Sequence, residues 1–182
     1  MAAIRSVFVT FRPTRIRVVA RTGVCGILLC MQVTLAHIGS RAGAKDSYDA
    51  LVSGYLKRCA GMMRCSAEAF RSEAALLEWL GKQHGRTVAA VLMLDAHGRQ
   101  MTSESLAEWL GKRRDDGLQH VVFAVGPADG WSEKALTEGK RRGGLLSLGP
   151  MTLAHQLARL VVAEQIYRAC TILTGHPYHT GH

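Results

Sequence analysis

The stretch LLSLGPMTLAHQLARLVVAEQIYRACTILTGHPYH, Leu145 to His179, decides how this chain is read. A short apolar run ends in a Gly149-Pro150 turn, a helix of about four or five turns follows, and a His-Pro-Tyr-His tail closes the segment. A loop that presents backbone amides and carbonyls at the mouth of a helix is a place where a small ligand can sit.

Upstream of this segment, strand and helix patterns alternate. Met31–Ile38 sets Val33, Leu35 and His37 against Thr34 and Ala36 and reads as a strand. A helix from Asp46 or Ser47 to about Cys59 follows, then a strand over Met62–Phe70 and a helix over Ala74–Gln83 that Gly85 ends. Thr87–Leu94 is apolar throughout, as a strand buried on both faces requires, and Asp95-Ala96-His97-Gly98 reads as a turn. Thr102 opens a helix through Arg114, His120–Val125 is a second buried strand, Ser132–Lys140 is a short polar helix, and Leu145–Leu148 is the last strand. This order predicts an α/β fold with a mostly parallel sheet flanked by helices. Ligands of such sheets bind beyond the carboxyl ends of the strands, here the loops after Leu94, at Gly126–Gly130 and at Leu148–Leu153.

The phosphate-loop alternative is weak. Three residues, not four, separate Gly39 from Gly43, and Ala44 splits Gly43 from Lys45, so this reads as an ordinary β–α loop. No G-x-G-x-x-G follows the first strand, which argues against a dinucleotide fold.

The 182 residues suit one globular domain with a sizeable core. The net charge of +9 is uneven: residues 1–30 hold five arginines and no acid, and the remainder has 18 basic against 14 acidic residues. That remainder is mildly basic, compatible with a nucleic-acid partner. Residues 1–30 read as sequence upstream of a true start at Met31, as a targeting segment, or as a structural extension; the first reading is preferred. The five cysteines form no C-x-x-C pair and no zinc spacing, which fits free thiols in a reducing, cytoplasmic compartment. No run of eighteen apolar residues predicts a membrane span.

Five blocks then become specific. They are Leu94-Asp95-x-x-Gly98; Val125-Gly126-x-Ala128-Asp129-Gly130; Leu146-Ser147-Leu148-x-x-Met151-Thr152-Leu153-x-His155-Gln156-Leu157-x-Arg159; Ala163-Glu164-Gln165-x-Tyr167-Arg168-Ala169; and His176-Pro177-Tyr178-His179. Together they resemble the SPOUT-class ribosomal RNA large subunit methyltransferase H family, whose members methylate N3 of a pseudouridine in 23S ribosomal RNA. The resemblance covers Met31 to His179, and makes residues 31–182 the methyltransferase domain after the extension 1–30. It implies a C-terminal trefoil knot, S-adenosyl-L-methionine as methyl donor, ribosomal RNA as partner, and a homodimer. By position it implies donor contacts from Leu94, Asp95, Gly126, Pro127, Leu148, Gly149, Pro150, Met151, Thr152, Leu153 and Ala154. Arg168 and His179 would hold the RNA, with Tyr178 beside the acceptor base. A methyl transfer needs aligned partners and an acceptor nitrogen helped to lose its proton, and these side chain types supply both.

The chain departs from the family at three places. Pro127 stands in a usual Gly-Gly pair and removes an N–H; Ala154 replaces a proline that would pre-set the helix; Thr180 replaces an arginine and removes a phosphate contact. A non-catalytic RNA-binding module that keeps the fold is the alternative.

Plainer roles stand beside these. His155 can cap or line the helix start, Glu164 and Arg168 can form an intrahelical ion pair, and Arg159 can face solvent or a dimer. Tyr167, Leu157, Leu160, Val161 and Ile166 suit core or dimer contacts, and Trp79, Trp109 and Trp131 suit packing. Lys112–Arg114 and Lys140–Arg142 serve solubility or phosphate contact. His176, His179 and His182 are spaced by three, but Pro177 interrupts them and no cysteine or carboxylate joins them, so no metal is expected.

Overall fold

The computed structural model describes residues 31–39, 47–82 and 87–179; the extension 1–30 and most of the Gly39–Lys45 loop lie outside them. Five strands form one parallel sheet. They are β1 (Gln32–Ile38), β2 (Arg64–Phe70), β3 (Ala90–Gln100), β4 (His120–Val125) and β5 (Gly144–Ser147), in the order β2-β1-β4-β3-β5. The helices between and after them are α1 (Ser47–Arg58), α2 (Glu73–Lys82), α3 (Ser103–Asp115), α4 (Glu133–Arg142) and α5 (His155–Thr174).

Alternation along each strand splits the core in two. Val33 and Leu35 of β1, with Val121 and Phe123 of β4, pack against Val52 and Leu56 of α1, Leu106 and Leu110 of α3, and Ile166 of α5. Ala36 and Ile38, with Val122 and Ala124, face Leu76 and Leu80 of α2 and Ala135 of α4. Three helices therefore cover one face and two the other. Each fully buried side chain such as Phe123 or Leu110 contributes roughly 2–3 kcal/mol by leaving water.

The caps are local. Thr102 Oγ1 accepts from the Ser105 amide at 3.1 Å, and Ser132 Oγ accepts from the Ala135 amide at 3.2 Å. Both helix starts are those the sequence predicts.

Every residue of β1 from Val33 to Ile38 is buried, because β1 lies between β2 and β4 with helices on both faces. One expectation changes: β3 does not stop at Leu94. Asp95–Gly98 keeps local turn chemistry, with Asp95 Oδ1 accepting from the His97 amide at 2.8 Å, yet the strand resumes. Leu94 and Arg99 both stand opposite Leu146, so the extra residues bulge out. Gly98 permits this: a Cβ there would lie 2.6 Å from the Leu146 backbone.

Candidate active site

The bulge of β3 and the carboxyl ends of β4 and β5 converge on one cavity of about 530 Å³, within the usual range of small-molecule sites. All eleven residues expected to contact a donor line it: Leu94 and Asp95 at the bulge of β3, Gly126 and Pro127 after β4, and Leu148 to Ala154 after β5. Gly149 takes a left-handed φ of +121°, and buried Ser147 braces the turn, its Oγ 3.2 Å from both the amide and the carbonyl of Gly149. Met151 is 79% exposed at the lip. Ala154 is the N-cap of α5 and offers no side-chain cap, so the first amides of the helix are left for solvent or a ligand.

Trp131 belongs to this site, although sequence suggested only packing. Its indole Nε1 donates to the Leu94 carbonyl at 2.8 Å, fastening the loop after β4 to β3 just before its bulge. Its ring also lies where a Cβ on Gly126 would fall, 2.8 Å from Cε2. Close backbone approach is why glycine stands at 126. A tryptophan just past a glycine-rich turn, with an N–H that needs a partner when buried, was the available signal.

Behind the cavity lies a polar cluster. His155 is not the cap; it lines the cavity wall 6.0 Å, ring to ring, from His37. Arg159 faces neither solvent nor a partner surface in this fold. It is 3% exposed, ion-paired with Asp49 of α1 and hydrogen-bonded to Gln156. The packing of α5 on α1 drives this burial. Burial, then the Arg159 charge, pushes the His37 imidazole down to about 4, and the same two causes in the same order push His155 below its ordinary value. Both rings are therefore neutral at pH 7.

The tail forms a second cluster, on α5. Arg168 pairs with Glu164 at 2.8 Å, the intrahelical pair that their spacing suggested. Its guanidinium lies 5.2 Å from the centre of the Tyr178 ring, and the Tyr178 hydroxyl lies 3.4 Å from Glu164 Oε1. Tyr167, buried, packs on Tyr178 at 4.9 Å between centroids. Burial first, then the Glu164 carboxylate, raises the Tyr178 phenol above its ordinary value, so it stays protonated at neutral pH. His179 closes the short 3-10 helix Pro177–His179.

The structure thus brings the eleven donor-side residues together but does not bring Arg168 or Tyr178 to them within one chain. Among the described residues, none from Glu164 to Tyr178 lines the donor-side cavity. Glu164 stands ten positions beyond Ala154, about 15 Å along the helix. A smaller cavity of about 320 Å³ shares Leu146 to Gly149 with the first and reaches Gln165, beside Glu164.

The basic clusters are partly neutralised: Arg114 pairs with Asp115, and Arg141 and Arg142 with Glu138. Trp79 packs against Phe70 and His120, and Trp109 under Arg113, as expected.

Residues 31–179 match the protein family described as "Predicted SPOUT methyltransferase". The chain is 44% identical over 152 residues to a protein of Koribacter versatilis named ribosomal RNA large subunit methyltransferase H, covering 84% of this chain and 100% of that one. Proteins of the same name from Brucella anthropi and Pelobacter propionicus are 45% and 47% identical over 91 residues, covering 50% of this chain and 55% and 57% of theirs. The chain belongs to the SPOUT methyltransferase family. The resemblance read from the five sequence blocks is borne out, as are the parallel α/β fold and the assignment as a methyltransferase.

SPOUT methyltransferases use S-adenosylmethionine, and the cavity fits such a group. Two loops and the β3 bulge meet, the walls are mainly apolar, backbone groups are open at the start of α5, and the missing Cβ of Gly126 leaves room for Trp131 to close the side. Among the described residues no helix is long and apolar enough to cross a membrane.

Proposed function

We propose that this chain methylates N3 of a pseudouridine in large-subunit ribosomal RNA, with S-adenosylmethionine as donor, and acts in the cytoplasm as a homodimer. The observation that carries the reading is the meeting of Leu94–Asp95, Gly126–Pro127 and Leu148–Ala154 at one cavity. These residues hold the donor. Pro127 has no N–H, so recognition there runs through carbonyls and the neighbouring amides. When bound, the donor supplies a methyl group on a sulfonium centre.

The rest of the chemistry falls to the tail. Tyr178, protonated, offers the acceptor base an aromatic face and a hydroxyl. Arg168 and His179 hold the RNA, and positive charge near the base eases loss of the N3 proton. Because Tyr178 is fastened to Glu164 and Tyr167, away from the donor cavity of its own chain, each tail completes the cavity of a second copy. Exposed Met151 and Leu157 at the start of α5 give that copy an apolar surface to meet. In this reading residues 31–182 are the methyltransferase domain and 1–30 an extension to it. The trefoil knot is what the family resemblance implies.

The test is nucleoside analysis of large-subunit RNA from a strain lacking this protein, with the full chain or Tyr178→Ala supplied in trans. The expected result is loss of one methylated pseudouridine, restored by the full chain only. An unchanged nucleoside profile in the deletion strain overturns the proposal. No heat of S-adenosylmethionine binding in calorimetry would instead point to the RNA-binding module.

A further inference from the structure

Three cysteines that the sequence scatters come together away from the candidate active site. Cys59 follows α1, Cys65 lies in β2, and Cys170 is in α5. Their sulfur atoms all lie within 4.8 Å of one another. A fourth sulfur, Met63 Sδ, is 4.0 Å from Cys170 Sγ. We propose that Cys59, Cys65 and Cys170 form a site for a soft, thiophilic cation of the copper(I) or zinc(II) class, with the Met63 thioether beside it.

Geometry supports it first. Three thiolates at about 2.3 Å from one ion stand about 4 Å apart, so the group needs to close by less than about 1 Å. Donor chemistry supports it next. Thiolate and thioether donors select copper(I) and zinc, whereas magnesium, calcium and manganese need oxygen, and no carboxylate or imidazole belongs to this group of ligand atoms. Access is the third support. Cys59 and Cys170 are fully buried, but Cys65 is half-buried and, with Met63, lines an open cavity of about 1050 Å³ that also reaches Arg64 and Lys57.

Without a cation the three sulfurs share their protons unevenly: contact with the Cys170 sulfur, then with Cys65, pulls the Cys59 thiol down to about 4, while contact with Cys170, then with Cys59, and then burial raises the Cys65 thiol well above its ordinary value. Binding sends the S–H protons that remain to solvent, forms three metal–sulfur bonds and transfers no electron. Zinc(II) would leave one net negative charge in the cluster and copper(I) two. Charge therefore favours zinc, and three-sulfur coordination favours copper. Either ion would tie α1, β2 and α5 together, and α5 is the helix that starts at the donor turn. By mass action the folded chain gains stability with the free ion concentration.

The experiment uses the full chain, reduced and without oxygen, carrying Cys25→Ser and Cys30→Ser so that only these three thiols remain. It is titrated with copper(I) against a chromophoric chelator and, separately, with zinc(II) or with cobalt(II) as its spectroscopic stand-in. The expected result is a thiolate-to-metal charge-transfer band that saturates at one ion per chain, with proton release and a higher melting temperature. The arm that saturates at the lower free ion concentration identifies the cation. Cys65→Ser, at a half-buried site, should weaken binding by at least about tenfold while circular dichroism and donor binding stay as in the parent. Failure of both ions to give a saturating band, or binding unchanged by Cys65→Ser, overturns the proposal and leaves the three cysteines as packing residues.

Discussion

The indole of Trp131 donates a 2.8 Å hydrogen bond to the backbone carbonyl of Leu94 and thereby joins the loop after β4 to β3 beside the proposed donor cavity. Trp131→Phe keeps the ring and removes the N–H. With a net worth of about 1 kcal/mol for such a bond, S-adenosylmethionine affinity should fall about fivefold in calorimetry. Unchanged affinity would mean that the bond does not shape the cavity.

Gly126 and the same ring occupy adjoining space. Gly126→Ala places a Cβ 2.8 Å from Trp131 Cε2 and should lower donor affinity more than Trp131→Phe does. Adding Trp131→Ala to Gly126→Ala should recover part of that loss, because the clash disappears. Strict additivity of the two substitutions in calorimetry would show that they do not touch.

The His37 ring, 5% exposed, makes stability depend on acid. Its folded value of about 4 lies below the ordinary 6.5, so the unfolded chain takes up the proton first as pH falls. The contribution is complete above about pH 6.5 and is lost as pH drops toward 4. By this linkage the protein should lose about 2 kcal/mol between pH 7 and pH 5 through this residue. Urea unfolding at both values, for the parent and His37→Asn, measures it; an equally steep loss in the variant would assign the acid sensitivity elsewhere.

Arg159 and Asp49 pair where only Arg159 is deeply buried. Asp49→Asn leaves a buried guanidinium without its counter-charge and should cost on the order of 3 kcal/mol. Glu78→Gln, which breaks the exposed pair with Lys82, should cost far less. Equal losses in urea unfolding would show that burial does not govern the Arg159 pair.

These relationships also show what the sequence could and could not carry. The strand order of hydrophobic runs was legible, since Thr87–Leu94 and His120–Val125 are apolar enough to be interior strands and both helix caps are local. The donor-side residues were legible through family blocks rather than through chemistry, and all eleven meet. Other features depend on partners far along the chain. Arg159 is buried because Asp49, 110 residues earlier, waits for it. The three cysteines have no recognisable spacing because they come from an α–β connection, a strand and the last helix. Asp95–Gly98 carries turn residues, and a turn is what local reasoning yields; the strand continues because β5 pairs on both sides of the bulge.

In the proposed dimer one chain holds the donor and the tail of the other meets the acceptor. Mixed dimers separate these two roles. Gly126→Val, shown by calorimetry not to bind donor, and Tyr178→Ala are each inactive alone in a ribosomal RNA methylation assay. Unfolded together and refolded as a mixture, they should regain about a quarter of parental activity, since half of randomly paired dimers hold one intact site. No recovery, in a mixture shown by mass spectrometry to contain mixed dimers, would contradict the account and place donor and tail in the same chain.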